Sequence, residues 1–208
     1  MAALAFGTPS GIVLSPQTPT LLGRATEDLP ITSAYAVASL DPVLQPASAP
    51  ATPDLSGTVE GLAIAPAAEA PMQLLDAAHA YAGRGLDGDR YAAGAGTFTP
   101  YGDRRPGYDM TLIAAEVLDE LAATGHALDF VGARRNVLTR GIDVNALVGR
   151  TFRIGEVLCQ GRRLCEPCIH LDGLSGPGLL RPLIHRGGLR ADILSDGELR
   201  LGAPIQVV

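Results

Sequence analysis

The residue types with the richest chemistry in this chain are concentrated in one short segment. All of its cysteines fall within ten residues of one another: Cys159, Cys165 and Cys168. Arg162 and Arg163 precede the Cys-x-x-Cys pair, and His170 follows it. Thiolate is the form of cysteine that attacks electrophiles and binds metals, and nearby positive charge favours it. We therefore expect the chemistry of this chain at Cys165 and Cys168.

Three roles fit this segment. The three cysteines and His170 could form a zinc site, although structural zinc sites usually join two separated pairs of ligands. The Cys-x-x-Cys pair could exchange thiols and disulfides, but that motif needs a following helix, and residues 172–177 (DGLSGP) predict that a helix would break at once. A thiolate could also ligate a thiophilic metal or carry persulfide sulfur. For Cys159, which follows apolar residues, an inert buried position is the simplest interpretation.

The composition excludes several classes of function. All 16 basic residues are arginine, so the chain cannot bind pyridoxal phosphate covalently or form a lysine-containing phosphate loop. The net charge of −6 argues against nucleic-acid binding. No apolar run is long enough to predict a membrane span. Because three cysteines make no disulfide framework, we expect a cytoplasmic protein.

The chain divides into two regions of different composition. Residues 1–56 hold eight of the 16 prolines and few charges, which predicts an N-terminal extension that forms a tail or a loose wrap. Residues 57–208 show the patterns of a folded domain with a core of its own.

The elements predicted for residues 57–208 are mostly short strands. We expect strands at 58–64, 136–139, 151–154, 157–160, 191–194, 199–201 and 204–208. Apolar residues at helical spacing predict a helix over 111–123, capped by Asp109 or Thr111 and ended by Gly125. A helical turn or two is expected at 179–185, and Asp196-Gly197 predicts a hairpin. Residues 72–82 are read as a short helix or irregular segment. The pattern indicates a mainly β protein, a small closed β-barrel with a few helical insertions.

Six segments, in order, resemble those of one known family. They are residues 85–91 (GLDGDRY), 111–116 (TLIAAE), 135–143 (RNVLTRGID), 147–155 (LVGRTFRIG), 165–168 (CEPC) and 185–191 (HRGGLRA). Together they make residues 57–208 similar to the MOSC domain, the module named after the C-terminal part of molybdenum cofactor sulfurase. The resemblance implies a β-barrel of the pyruvate-kinase-barrel type.

The resemblance also implies a function. Some relatives are proposed to carry persulfide sulfur, and others bind molybdenum cofactor (molybdopterin) and reduce N-hydroxylated compounds. In both, one cysteine carries the function, and it maps to Cys168 as metal ligand or sulfur carrier. Cys165 is then either a resolving thiol or a residue without a role in the chemistry. A reductase would need an electron-donor protein, and a sulfur carrier would need a cysteine desulfurase. The protein is then a molybdenum-dependent oxidoreductase or a sulfur-transfer protein.

Molybdenum cofactor is anionic, and without lysine the chain must hold it by arginine and backbone groups. The candidates for this role are Arg134, Arg135, Asn136, Thr139, Arg186, Gly187 and Arg190. Gly187 and Gly188 lack a Cβ and would permit close approach of a ligand.

Two departures from the family pattern bear on mechanism. Tyr91 stands where the family has a histidine after Gly-Asp-Arg, so an acid for the reduction would have to be His170 or His185. Residues 1–56 are also too short and proline-rich to replace the N-terminal β-barrel domain of the amidoxime-reducing relatives, which weakens the reductase interpretation.

Overall fold

The computed structural model describes residues 55–208, most of whose regular structure is strand. The strands are β1 (Ser56–Ile64), β2 (Gln73–Leu75), β3 (Ala77–Tyr81), β4 (Gly85–Leu86), β5 (Met110–Ala114), β6 (Val137–Arg140), β7 (Thr151–Ile154), β8 (Val157–Leu164), β9 (Leu189–Ile193), β10 (Gly197–Arg200) and β11 (Pro204–Val207). The helices are α1 (Ala115–Ala123), α2 (Phe130–Ala133), α3 (Ile169–Ser175) and α4 (Leu180–Leu183), with a 3-10 helix at Val144–Leu147. No helix among these is long and apolar enough to cross a bilayer.

Nearly all of the predicted N-terminal extension, residues 1–54, lies outside the described residues, so its interpretation as a tail or a loose wrap stays a prediction.

Seven of the strands close into a barrel. The order around it is β11, β7, β8, β9, β5, β6 and β1, and β1 pairs with β11 to complete the ring. The β5–β6 pair is parallel and the other pairs are antiparallel, so the barrel is mixed. Strand β2 extends the sheet beyond β1. The predicted mainly β fold, a small closed barrel with a few short helices, is confirmed.

The barrel interior follows from the alternation of side chains along each strand. In β9, Leu189, Ala191 and Ile193 point inward and are buried, and in β7 Phe152 and Ile154 do the same. Each fully buried Leu, Ile or Phe contributes about 1.5–3 kcal/mol relative to an exposed position, so this row of apolar residues fixes which face of each strand points inward.

The predicted hairpin around Asp196-Gly197 is wrong. Strand β10 pairs with β3, not with β9, and these two strands form a separate three-stranded sheet with β4. The Asp196 carboxylate accepts a hydrogen bond from the backbone N–H of Ala82 at 2.6 Å, so the turn connects two sheets. The segment 72–82 is correspondingly strand, because pairing with β10 outweighs the helix propensity of its alanines.

The predicted helix over 111–123 is correct only in its second half. Residues 110–114 form β5, which has a hydrogen-bonded strand on each side, β6 and β9, and α1 begins at Ala115. The predicted caps are therefore not used: Asp109 accepts from the N–H of Ile193, and the side chain of Thr111 bonds to Asn136. The predicted end is right, since Gly125 follows the C-cap with φ +85°.

The expectation that residues 172–177 break a helix is also wrong. Helix α3 begins directly after Cys168 and runs through Asp172 to Ser175, ending at Gly176. Its Leu171 is buried in an apolar cluster with residues of α1, and the Asp172 carboxylate accepts from the N–H of Leu179 at 2.8 Å. Burial against neighbouring helices thus compensates for poor local propensity.

Candidate functional site

Both cysteines of the Cys-x-x-Cys pair lie at one pocket, which holds about 610 Å³ of empty space including its open mouth. Of the predicted site residues, these line it: Cys165, Cys168, Arg134, Arg135 and Arg190. His170, one of the two predicted acids, and Tyr91, which replaces the family histidine, line it as well. These further lining residues were not assigned a role from the sequence: Arg90, Thr97, Phe98, Thr111, Glu166 and Leu171.

The two cysteines of the pocket differ in access. Cys168 is half-buried at the residue before α3, and it packs beside the apolar cluster that contains Leu171. Cys165 is buried, and its backbone N–H donates to the carbonyl of Gly188 at 2.7 Å. Cys168 is therefore the more accessible of the two thiols that line the pocket.

Arg135 positions this segment through its buried guanidinium. The group donates to three backbone carbonyls: those of Gly187 at 2.9 Å, Ala133 at 2.8 Å and Cys165 at 3.3 Å. Although Arg135 borders the pocket, each of its three guanidinium nitrogens already donates to a carbonyl of the protein itself. Through these bonds Arg135 connects α2, the Cys165 segment and the residues just before β9.

Gly187 and Gly188 serve the same packing. A Cβ at Gly187 would lie 2.4 Å from the carbonyl oxygen of Cys165, and one at Gly188 would lie 2.0 Å from that of Leu112. The close approach that these glycines permit is between backbone segments of this chain, not the approach of a ligand that the sequence suggested. The two glycines thereby allow the start of β9 to pack closely against both the Cys165 segment and β5.

Arg134, which is half-buried, and Arg90, which is buried, give one part of the pocket its positive charge. Arg134 is the left-handed C-cap of α2, with φ +57°, and donates to the carbonyl of Ala70 at 3.0 Å. Burial lowers the pKa of Arg134, and the nearby charge of Arg90 lowers it further. Arg90 is buried, contacts Asp89 at 3.4 Å, and places its guanidinium carbon 5.2 Å from the centre of the Tyr91 ring. An anion between these two guanidiniums would relieve their repulsion.

Asn136 and Thr139, predicted to bind the pterin, are placed elsewhere. Both are buried and neither lines the pocket. The Asn136 amide donates to the carbonyl of Ala63 and to Asp89, and accepts from the N–H of Thr111 at 3.1 Å. The Thr139 hydroxyl donates to a backbone carbonyl of β5 at 3.3 Å. Asn136 therefore holds the Asp89–Arg90 loop against the barrel.

Arg186 and Gly187, two further residues predicted to bind the cofactor, do not line the Cys168 pocket. Arg186 is hydrogen-bonded to Glu120 and lines a different cavity, beside α1. Gly187 reaches the site only through its carbonyl, which accepts from Arg135.

The two histidines predicted as candidate acids differ in position: His170 is at the pocket and His185 is not. His170 lines the pocket, with its ring 5.6 Å from that of Phe98 and Nε2 3.8 Å from a carboxylate oxygen of Glu69. His185 is exposed and its Nδ1 lies 2.8 Å from Glu166, which also accepts from the His185 backbone N–H. These contacts hold the pKa of Glu166 below its usual range, the backbone bond most strongly. Of these two histidines, His170 is the one whose side chain lines the pocket.

The four predicted zinc ligands are not brought together. Within residues 55–208 no group of three or more His, Cys, Asp or Glu side chains is arranged to hold a metal ion. Cys159 lies on β8 inside the barrel core, where burial raises the pKa of its thiol to about 12. The inert role expected for Cys159 agrees with this position.

This separation of the thiols predicts selective alkylation. At pH 8 a thiol with a pKa of about 12 is ionised in only about one molecule in ten thousand, and a thiol must be ionised to react. We expect iodoacetamide to label Cys168 first in the native protein and to leave Cys159 unmodified, whereas denatured protein reacts at all three cysteines. Peptide mass spectrometry over time measures this, and labelling of native Cys159 as fast as Cys168 would contradict the placement.

Arg90 is the main residue that the sequence reasoning missed. The signal was present, because Arg90 lies in the GLDGDRY segment that carried part of the family resemblance. In the same segment, Tyr91 departs from the family pattern. The neighbouring arginine, charged and buried, is the stronger indication of a site.

Comparison with known proteins agrees with the barrel and its motifs. The sequence model of the MOSC domain matches residues 87–206, more than half of the chain. No curated protein matches the sequence. Among solved structures, the YuaD protein from Bacillus subtilis is similar with a TM-score of 0.61 and 20% identity over 73% of this chain and 95% of that one. YiiM from Escherichia coli gives 0.50 and 18% over 73% and 69%.

At these identities the structural matches establish the fold alone, and the family follows from the sequence match. The matched residues include β5 to β10, the Asp89–Arg90 loop and the segment that carries Cys165 and Cys168. This chain belongs to the MOSC domain family.

Proposed function

We propose that this protein binds molybdenum cofactor in the Cys168 pocket and reduces N-hydroxylated compounds there. The observation that carries the proposal is the placement of a half-buried thiol and several arginines around one pocket. The MOSC domain family, to which the chain belongs, supports the same cofactor.

The residues of the pocket fit the chemistry of this cofactor. Thiolate is a soft ligand suited to a thiophilic metal, so Cys168 would ligate molybdenum. Arg90 and Arg134, which lie close enough for the charge of one to lower the pKa of the other, would bind the anionic part of the cofactor. When bound, the cofactor would supply two-electron oxidation and reduction.

The chain's own contribution to the reduction would be binding and protonation. Conversion of an N-hydroxylamine to an amine consumes two electrons and two protons and releases water. His170, whose Nε2 lies 3.8 Å from a carboxylate oxygen of Glu69, would deliver a proton to the departing oxygen. Phe98 packs edge-on against His170 and would limit its rotation. The electrons would come from a partner protein, and we place the reaction in the cytoplasm.

A second candidate is favoured by the presence of Cys165 at the same pocket. As a sulfur carrier, the Cys168 thiolate would attack the outer sulfur of a persulfide on a cysteine desulfurase. The desulfurase cysteine would leave as a thiol, and Cys168 would hold the persulfide anion. Cys165 could then displace that sulfur as hydrosulfide by forming a disulfide with Cys168.

Elemental analysis tests the proposal. The protein, Cys168→Ala and Cys159→Ala are made in a host that synthesises molybdenum cofactor. We expect near-stoichiometric molybdenum in the parent and in Cys159→Ala, and at least about tenfold less in Cys168→Ala, since loss of a metal ligand weakens binding by at least as much as loss of an outer-shell group. Equal molybdenum in all three would refute ligation by Cys168. Absence of molybdenum, with one added sulfur atom on Cys168 by mass spectrometry, would identify the carrier instead.

A further inference from the structure

Two arginines of the barrel, Arg163 and Arg190, lie directly opposite each other. They are Cα partners in the antiparallel pair of β8 and β9. Like charges directly opposite in a sheet are destabilising, so a pair of this kind calls for an explanation.

A β-bulge creates this pairing. The register of β8 shifts between Gly161 and Arg163, which leaves Arg162 as the extra residue. Bulges re-aim side chains, and this one turns Arg162 towards Asp192, with which it forms an ion pair at 2.6 Å. Arg163 is thereby left opposite Arg190.

Arg163 and Arg190 share a tyrosine but have no carboxylate. Their guanidinium carbons lie 5.4 Å and 5.2 Å from the centre of the Tyr108 ring. Neither side chain has an ion pair or a side-chain hydrogen bond with any residue in the described part of the chain. Contact with the aromatic ring stabilises the cations, but it leaves the five N–H donors of each guanidinium available.

The pair lies at the edge of the Cys168 pocket. Arg190 lines the pocket, and the Tyr108 ring is 6.3 Å from that of Tyr91, which lines it too. The backbone before Tyr108 is fixed, because the N–H of Gly107 donates to Asp192 at 2.5 Å. The guanidinium groups of exposed Arg163 and half-buried Arg190 thus lie near each other on the paired strands β8 and β9.

We propose that Arg163 and Arg190, at the edge of the pocket, bind a phosphate group on the substrate. Neither arginine has a carboxylate partner in the described part of the chain that the phosphate would have to displace. The inference rests on the proposed function for what happens at Cys168, and it adds that the substrate is a phosphate ester. Paired guanidinium forks match the oxygens of a phosphate and bind it bidentately. Tyr108 holds both guanidiniums beside its ring in the absence of the anion, which lowers the ordering required on binding.

Inorganic phosphate is the probe for the site. It is titrated against the purified protein at low ionic strength, where charge interactions are least screened, and the rise in melting temperature gives the affinity. We expect saturable binding in the parent and at least about tenfold weaker binding in Arg163→Gln and in Arg190→Gln, since each removes a charge-assisted contact.

Arg84→Gln is the matched control. Arg84 is exposed and lies 5.3 Å from the centre of the Tyr81 ring, but it has no like-charged partner opposite it. It should bind phosphate as the parent does. Unaltered binding in Arg163→Gln, or no saturable binding in the parent, would overturn the proposal.

Molybdenum content separates the substrate's phosphate from that of the cofactor. Arg163→Gln should retain parental molybdenum, and loss of molybdenum in this variant would show that the anion belongs to the cofactor and would overturn the proposal. Failure of the proposed function is distinguishable, since it would appear as retained molybdenum in Cys168→Ala while the phosphate titration stays sensitive to Arg163.

Discussion

Replacing Gly188 by alanine is expected to destabilise the protein by about 2–6 kcal/mol. Gly188 has φ +107°, which costs a residue with a Cβ about 1–3 kcal/mol. The new Cβ would also lie 2.0 Å from the carbonyl oxygen of Leu112, in the backbone of β5, which cannot rotate away. Relief of this clash requires separation of β9 from β5 and adds about 1–3 kcal/mol. Urea unfolding measures the loss.

Gly176→Ala is the control for Gly188→Ala. Gly176 has a similar φ of +115°, but nothing lies within 4 Å of the position that its Cβ would take. It therefore carries the conformational cost without the clash, and the expected loss is about 1–3 kcal/mol. Because Gly188 also accepts the hydrogen bond of the Cys165 N–H, Gly188→Ala alone should speed alkylation of Cys165. Equal losses in the two variants would contradict this packing.

Replacing Arg135 by glutamine is expected to cost about 3 kcal/mol or more. The change leaves three buried backbone carbonyls without the guanidinium that now donates to them, and each unsatisfied buried acceptor is costly. A glutamine amide is too short and has too few donors to reach all three. Since the carbonyl of Cys165 is one of them, the thiol segment should loosen, and molybdenum retention should fall with stability.

The neighbouring Arg134→Gln provides the comparison for Arg135→Gln. Arg134 is half-buried and makes a single hydrogen bond to a backbone carbonyl, that of Ala70. We expect it to change the free energy of unfolding by about 1 kcal/mol or less and still to weaken cofactor binding. If Arg134→Gln were as destabilising as Arg135→Gln, Arg134 would have to be assigned to the structure of the protein as well.

Much of the barrel was predictable because its strands carry a local pattern. Strand β7 was placed at the observed bounds, and β1 and β11 were placed within two residues, since apolar residues alternate along them. The helix predicted over 111–123 was wrong over residues 111–114, where the local pattern of apolar residues is ambiguous. Its apolar residues fit both a strand and a helix, and only pairing of β5 with its two neighbours selects the strand.

By itself, the sequence determined the family and the thiol segment, since both depend on residue types in a fixed order. Cys168, Arg134 and Arg190 could be named because the chemistry of an anionic, thiophilic ligand requires such residues. The tertiary structure alone decided which of the candidates share a pocket. It turned Asn136 and Thr139 into the barrel, gave the donors of Arg135 to backbone carbonyls, and brought in Arg90 from a distant loop. Residue type fixes what a side chain can bind, but its partner depends on strand register and burial, which are set by contacts between residues far apart in the chain.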